Sequence, residues 1–362
     1  MATADGTWAY RDRFGEAFGR TYFRRFPPGV CSSIGIGTYL GDPTDAVDDA
    51  YRAAITSALD HGINHVDTAV NYRCQRSERV VGEALRESDA DREEVVISTK
   101  GGFLPFDGER PADPGAYVRE QFVEPGLVDP ETLVRGSHSL DPRCIDAMVD
   151  QSLSNLQVDR IDCYYLHNPE TQLLDADRET VYDRLEAAFE VLERRRAVGE
   201  IGVYGLATWQ AFRVPDSHPQ YLSLPAVVER AEAAAETVGA DASGLKAIQL
   251  PFNIEMADAF TVDAQPTADG PVSALEYVHD SDLSVVTSAS IGQGDLAAAL
   301  PPAVDAELAG DTAAQRAINF ARSAPGVTTS LVGMRSVDHV AENVAAGTFD
   351  PLGAAAFDAV FE

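Results

Sequence analysis

The sequence predicts an α/β chain folded as a single (β/α)8 TIM barrel, with long loops on its catalytic face. Three observations carry the expectation. Eight short, β-rich apolar runs recur along the chain, longer stretches of helical periodicity separate them, and polar residues gather at the C-terminal ends of the runs. Fully apolar strands alternating with helices imply a parallel sheet covered on both faces, and eight such units is the count that closes a barrel. An open doubly wound sheet is the rival, but no G-x-G-x-x-G follows the first strand.

In chain order the strands are expected at Ser33–Gly37, Ile63–Thr68, Val95–Thr99, Ile161–His167, Ile201–Ala207, Lys246–Pro251, Leu283–Ala289 and Thr328–Gly333. Stretches such as "TDAVDDAYRAAITSALDHG", "YDRLEAAFEVLERRRAVG" and "LPAVVERAEAAAETVG" repeat apolar residues every three to four positions and run into glycine. That is the pattern of amphipathic helices with glycine C-caps. Two connections exceed ordinary length. Phe103 to Leu140, rich in Pro, Gly, Asp and aromatics, follows the third strand and reads as a wall of the substrate pocket. Met256 to Gly270 follows the sixth. The whole of 1–362 reads as one domain, without internal repeat or low-complexity tract.

Composition narrows the partners. The formal net charge is −30, and lysine occurs only at Lys100 and Lys246. A surface this acidic repels phosphate backbones and anionic lipid, so neither nucleic acid nor a membrane is expected. The charge also suggests adaptation to a salt-rich, halophile-like setting in which self-repulsion is screened. Cys31, Cys74, Cys144 and Cys163 show no metal-ligand spacing, and the first residues lack the apolar run of a signal peptide. The expectation is a cytoplasmic protein with reduced cysteines and no metal. A metal-dependent hydrolase would need a richer cluster of histidines and carboxylates.

In a barrel, chemistry belongs at the C-terminal strand ends, where Asp67, Lys100, His167, Gln249 and Ser288 fall. Asp67 alone could cap a turn, and Tyr72 alone could be one of twelve tyrosines. Together with Lys100 and His167 they suggest proton transfer. A phenol with a pKa of about 10 holds its proton too tightly to work freely near neutrality, and a neighbouring ammonium favours the phenolate. Lysine suits this task better than arginine, because its charge is compact.

The motifs "HVDTAVNY", "VVISTKGG", "IDCYYLHNP", "IQLPFN" and "LVGMRSVDHVAENV" stand in the order of those of the aldo-keto reductase superfamily, which the chain resembles from about Ser33 to Gly347. The resemblance implies an NAD(P)-dependent oxidoreductase that interconverts a carbonyl (aldehyde, ketone or aldose) and an alcohol. It makes Tyr72 the general acid/base, Asp67 and Lys100 its support, and His167 the fourth member. It assigns Gly37, Thr38, Thr208, Gln249 and Ser288 to the nicotinamide end of the cofactor, and Ser290, Ile291 and Gly292 to the pyrophosphate. Arg335, Ser336, His339, Glu342 and Asn343 fall to the adenosine end. Arg335 and Ser336 favour NADP, with NAD as the alternative, because His339 stands where many NADP-using members carry arginine. Ala207 and Ser288 depart from the family pattern of a serine and a stacking aromatic. A nicotinamide-binding regulatory subunit with little turnover is therefore the second reading. Tyr39, Phe103 and Trp209 are expected to line the substrate pocket. Oligomeric state is not legible.

Overall fold

Eight parallel strands close on themselves in the computed structural model, which describes residues 1–19 and 21–361. They are β1 (Ile34–Gly37), β2 (His65–Asp67), β3 (Val96–Gly101), β4 (Ile161–His167), β5 (Ile201–Ala207), β6 (Leu245–Pro251), β7 (Ser284–Ser288) and β8 (Val327–Gly333). Each pairs with the next in sequence, and β8 pairs with β1 to complete the ring. A main helix follows each strand, with shorter helices inserted in some of the connections: α1 (Asp45–Asp60), α2 (Arg76–Glu87), α3 (Pro142–Leu156), α4 (Arg178–Ala197), α5 (Leu224–Val238), α6 (Ala274–His279), α7 (Ala313–Ser323) and α8 (Val337–Ala345). All eight expected strands form, to within two residues at most ends.

The helices start where short polar side chains take up orphan N–H groups. Asp177 accepts from Thr180 N at the head of α4, Ser223 from Ala226 N at α5 and Ser273 from Glu276 N at α6. Helix α5 stops at Gly239, in the left-handed region at φ 76°. Three arginines, Arg194 to Arg196, occupy the last turn of α4, where the helix dipole favours positive charge.

Two cores result. The larger lies between the strands and the helical ring, and fully buried side chains such as Ile55, Leu185, Ile248 and Ile318 each contribute about 1.5–3 kcal/mol relative to exposure. The smaller fills the barrel interior with Val96, Cys163, Tyr165, Ala247, Val286 and Leu331. Tyr165 fits there because residue 205 is glycine. A Cβ at Gly205 would lie 2.2 Å from the Ala247 carbonyl oxygen and 2.7 Å from Tyr165 Cε1. A hairpin of Phe23–Phe26 and Gly29–Ser32, with Phe26 and Cys31 in the inner cluster, closes the N-terminal end.

Three local differences from the sequence reading matter. Strand β3 runs on to Gly101, because Lys100 and Gly101 pair with Tyr165 and Leu166 of β4. Lys100 therefore sits within a strand, not after one. The segment 103–140 contains a short helix (Pro114–Val118) and a π turn (Arg119–Val123). Its Leu104, Val118 and Val128 pack with Val70, Cys144 and Met148, a satellite core that makes the segment a packed wall. The segment 256–270 contributes a short helix (Asp258–Thr261) and a strand (Gln265–Thr267) paired with Gly270–Val272. All four cysteines are free. Among the described residues no helix is long and apolar enough to cross a membrane.

Candidate active site

The C-terminal ends of the strands surround a groove of about 760 Å³. Strand register puts its floor together: Gly37 pairs with Asp67, His167 with Ala207, Ala207 with Gln249, and Gly333 with Gly37. Residues more than a hundred positions apart in the chain thus share one level of the barrel.

Asp67 is the hub of this floor. It is 3% exposed, and one carboxylate oxygen takes the Lys100 ammonium, itself 1% exposed. The other accepts from Ser98 Oγ at 2.7 Å and from Gln249 Nε2 at 2.9 Å. Lys100 also donates to the Thr68 carbonyl at 2.8 Å. A buried ion pair repays its desolvation only when hydrogen bonds satisfy both ions, as they do here. Tyr72 lies above, its ring centroid 4.8 Å from Lys100 Nζ and 5.7 Å from the His167 ring.

The electrostatics assign protons. Burial presses the Lys100 ammonium down, but Asp67 and Tyr72 outweigh it, so Lys100 stays charged above its ordinary value. Burial raises the Tyr72 phenol, and Lys100 opposes that rise without reversing it. The expectation that Lys100 leaves the phenol below its usual pKa therefore needs correction: the ammonium pulls in that direction, but desolvation is larger. Burial, then Lys100, hold His167 well below the usual histidine range, so its ring is neutral. The buried His167 Nδ1 has no partner among the described residues.

Around this cluster the groove collects most of the residues expected to hold a cofactor: Gly37, Thr38, Thr208, Gln249, Ser288, Ser290, Ile291, Arg335, His339, Glu342 and Asn343 all line it. Thr38 ties the end of β1 to the Asp67 carbonyl at 3.2 Å. Gly292 and Ser336 do not line the groove. Gly292, at φ 56°, shapes the turn beneath it, and Ser336 Oγ accepts from His339 N as the N-cap of α8. Tyr39, Phe103 and Trp209 also line the groove and give it an aromatic rim, with Tyr39 58% and Trp209 39% exposed.

Sequence reasoning missed several participants. Asn71 and Asn168 line the groove and lie directly beside Tyr72 and His167, so adjacency was an available signal. Ser98 and its bond to Asp67 follow from the pairing of β2 with β3. Glu170, 1% exposed, accepts from the amides of Trp209 and Gln210 at 2.6 and 2.8 Å, an arrangement without a local sequence signal. Among the described residues no cluster of three or more histidine, cysteine or carboxylate side chains is placed to hold a metal.

The fold and site define a closed parallel barrel that carries a buried ion pair, a phenol and an imidazole at one mouth. The family model of the aldo/keto reductase family matches residues 33–220, and the chain belongs to that family. It is 33% identical over 163 residues to D-threo-aldose 1-dehydrogenase of a Pseudomonas species, covering 44% of each chain. The chain thus spans less than half the length of that curated relative. Among solved structures, an aldo-keto reductase from Bacillus halodurans in its holo form superposes with a TM-score of 0.65 at 21% identity, over 94% of this chain and 96% of the other. An aldo/keto reductase from Klebsiella pneumoniae in complex with NADP and acetate superposes with a TM-score of 0.61 at 19% identity, over 94% of each.

Proposed function

We propose that the protein is an NADP-dependent oxidoreductase interconverting a carbonyl and an alcohol, with an aldose or a small aldehyde or ketone as substrate. The convergence of Asp67, Lys100, Tyr72 and His167 at one barrel mouth carries this reading. The groove also suits a dinucleotide. Among the described residues Thr208 Oγ1 is buried without a partner, and Gly333 on the groove wall has open space where a Cβ would stand. Thr208 and Gln249 would hold the nicotinamide end, the turn from Ser288 to Ile291 the pyrophosphate, and Arg335, His339, Glu342 and Asn343 the adenosine end. NAD is the alternative cofactor. A bound reduced nicotinamide supplies hydride to a carbonyl carbon.

The chain supplies the rest. Neutral His167 and the Tyr72 hydroxyl are placed to orient the carbonyl oxygen by hydrogen bonds. Tyr72, held protonated by burial, gives its proton to that oxygen, and the phenolate left behind is stabilised by Lys100. In the reverse direction Tyr72 must first lose its proton, so alcohol oxidation gains as pH rises. The rim of Tyr39, Phe103 and Trp209 with the amides of Asn71 and Asn168 carries no formal charge, which suits a neutral hydroxylated substrate. The relative named for D-threo-aldose oxidation supports the same class. The charge of −30 supports a salt-rich working medium.

Ala207 and Ser288 favour a second reading, a nicotinamide-binding regulatory subunit with little turnover. One experiment separates the two: NADPH oxidation with aldehydes, and NADP reduction with aldoses, in molar KCl, for the native chain and Tyr72→Phe. The expected result is turnover that falls about 10²–10⁴-fold in the variant with cofactor affinity retained. Equal turnover in both would overturn the role of Tyr72, and tight NADPH binding without turnover on any substrate would favour the regulatory reading.

A further inference from the structure

His138 lies deep in the long segment after β3, far in sequence from the four residues at the barrel mouth, and is fully buried. Its surroundings determine the direction of every hydrogen bond it makes. Arg184 on α4 donates through Nη1 to Gln172 Oε1. A guanidinium has no acceptor, so this contact orients the Gln172 amide. Gln172 Nε2 therefore faces His138, 2.8 Å from Nδ1 and 3.2 Å from the His138 carbonyl oxygen. An amide nitrogen only donates, so His138 Nδ1 must accept. The ring proton is left on Nε2, which points at the His167 carbonyl oxygen at 2.8 Å.

The same histidine braces the pocket wall. Phe103 and His138 are bridged antiparallel, Ser139 N donates to the Gly102 carbonyl at 2.9 Å, and Leu104 N to the Ser137 carbonyl at 2.8 Å. The Phe103 ring meets the His138 ring edge-on at 4.8 Å and the His167 ring at 5.1 Å. The chain can pass between them because residue 102 is glycine at φ 140°. A Cβ there would lie 2.9 Å from the His167 carbonyl oxygen and 3.2 Å from His138 Nε2.

We propose that His138, locked as its Nε2–H tautomer by Gln172 and Arg184, is a positioning residue that holds His167 and Phe103 in one arrangement and so sets where the substrate carbonyl meets Tyr72. The role in catalysis rests on the oxidoreductase reading of the site; the tautomer does not. Burial keeps the His138 ring neutral, with a pKa pushed down to about 4, consistent with a single ring proton near neutrality.

The test has two arms. In the first, ¹⁵N NMR of histidine-labelled protein near neutral pH assigns the His138 ring by its loss in His138→Gln. The expected signal is a neutral ring protonated at Nε2; an Nδ1–H tautomer or an imidazolium overturns the relay. In the second, kinetics and NADPH titration compare the native chain with His138→Phe, His138→Gln and Gln172→Leu. Loss of a buried hydrogen bond at this site is expected to lower kcat/KM about tenfold in His138→Phe and in Gln172→Leu, with NADPH affinity unchanged. His138→Gln keeps a donor for the His167 carbonyl and should recover most of kcat. Combining His138→Phe with Gln172→Leu should cost no more than either alone, because both break one chain of contacts. Additive losses, or kcat/KM within about twofold of native in folded variants, overturn the proposal. Should His138→Phe fail to fold, Gln172→Leu leaves the histidine in place and decides alone. Absence of turnover in the native chain would count against the oxidoreductase reading, while the NMR arm still decides the relay.

Discussion

Lys100→Met isolates the electrostatic heart of the proposed mechanism. The ammonium lies 4.8 Å from the centroid of the Tyr72 ring. At an effective dielectric constant of about 20, opposite unit charges at that separation attract by about 3 kcal/mol. Removing the lysine should therefore cut the accessible phenolate, and with it kcat near neutral pH, by about a hundredfold, since about 1.4 kcal/mol is one power of ten. The substitution also strands the Asp67 carboxylate, which keeps Ser98 and Gln249 but loses its counter-ion. Breaking a buried pair in this way costs about 3–5 kcal/mol of stability. Adding Asp67→Asn removes the stranded charge, so the double variant should regain stability but not activity. Thermal unfolding establishes the first, and single-turnover kinetics across pH, with the cofactor titrated by fluorescence, establish the second. A folded, cofactor-binding double variant whose neutral-pH rate lies within about threefold of native would refute the argument that Lys100 governs the Tyr72 proton.

Two further perturbations probe other parts of the site and fold. Arg335→Ala should weaken NADPH about tenfold or more and leave NADH unchanged, because a guanidinium discriminates the 2′-phosphate by charge-assisted hydrogen bonds; equal weakening of both cofactors in a fluorescence titration would remove that assignment. His138, with a folded pKa of about 4, binds its proton more readily in the unfolded chain, so its neutral-form stability is complete above the ordinary histidine pKa and is lost as pH falls toward about 4. The stability advantage of the native chain over His138→Gln should accordingly shrink by about 1 kcal/mol between pH of about 7.5 and about 5.5 in urea titrations; a difference independent of pH would contradict the buried, neutral ring.

Much of the fold was legible because its signals are local. Apolar runs of strand length, helical spacing between them and Asp, Ser or Gly at helix ends each report on a few neighbouring residues. The principle that barrel chemistry sits at strand ends pointed to Asp67, Lys100 and His167 together with Gln249 and Ser288. The family resemblance added Tyr72, which lies in the loop after β2, and singled out the four as a group. The limits of β3 were less legible, since Lys100 and Gly101 are strand only through their pairing with β4. Ser336 was ambiguous for a different reason: one hydroxyl suits both a phosphate and a helix cap, and the start of α8 shows it as the cap.

By itself, the sequence determined the alternation of strand and helix and the chemical identity of the groups at the barrel mouth, because both follow from residue type and spacing. Tertiary structure decided how those groups behave. Burial outweighs Lys100 at Tyr72, Ser98 and Gln249 saturate the second oxygen of Asp67, and Arg184 reaches His167 through Gln172 and His138. Desolvation and hydrogen-bond direction depend on which distant atoms arrive at the same point. No local pattern in the chain encodes that.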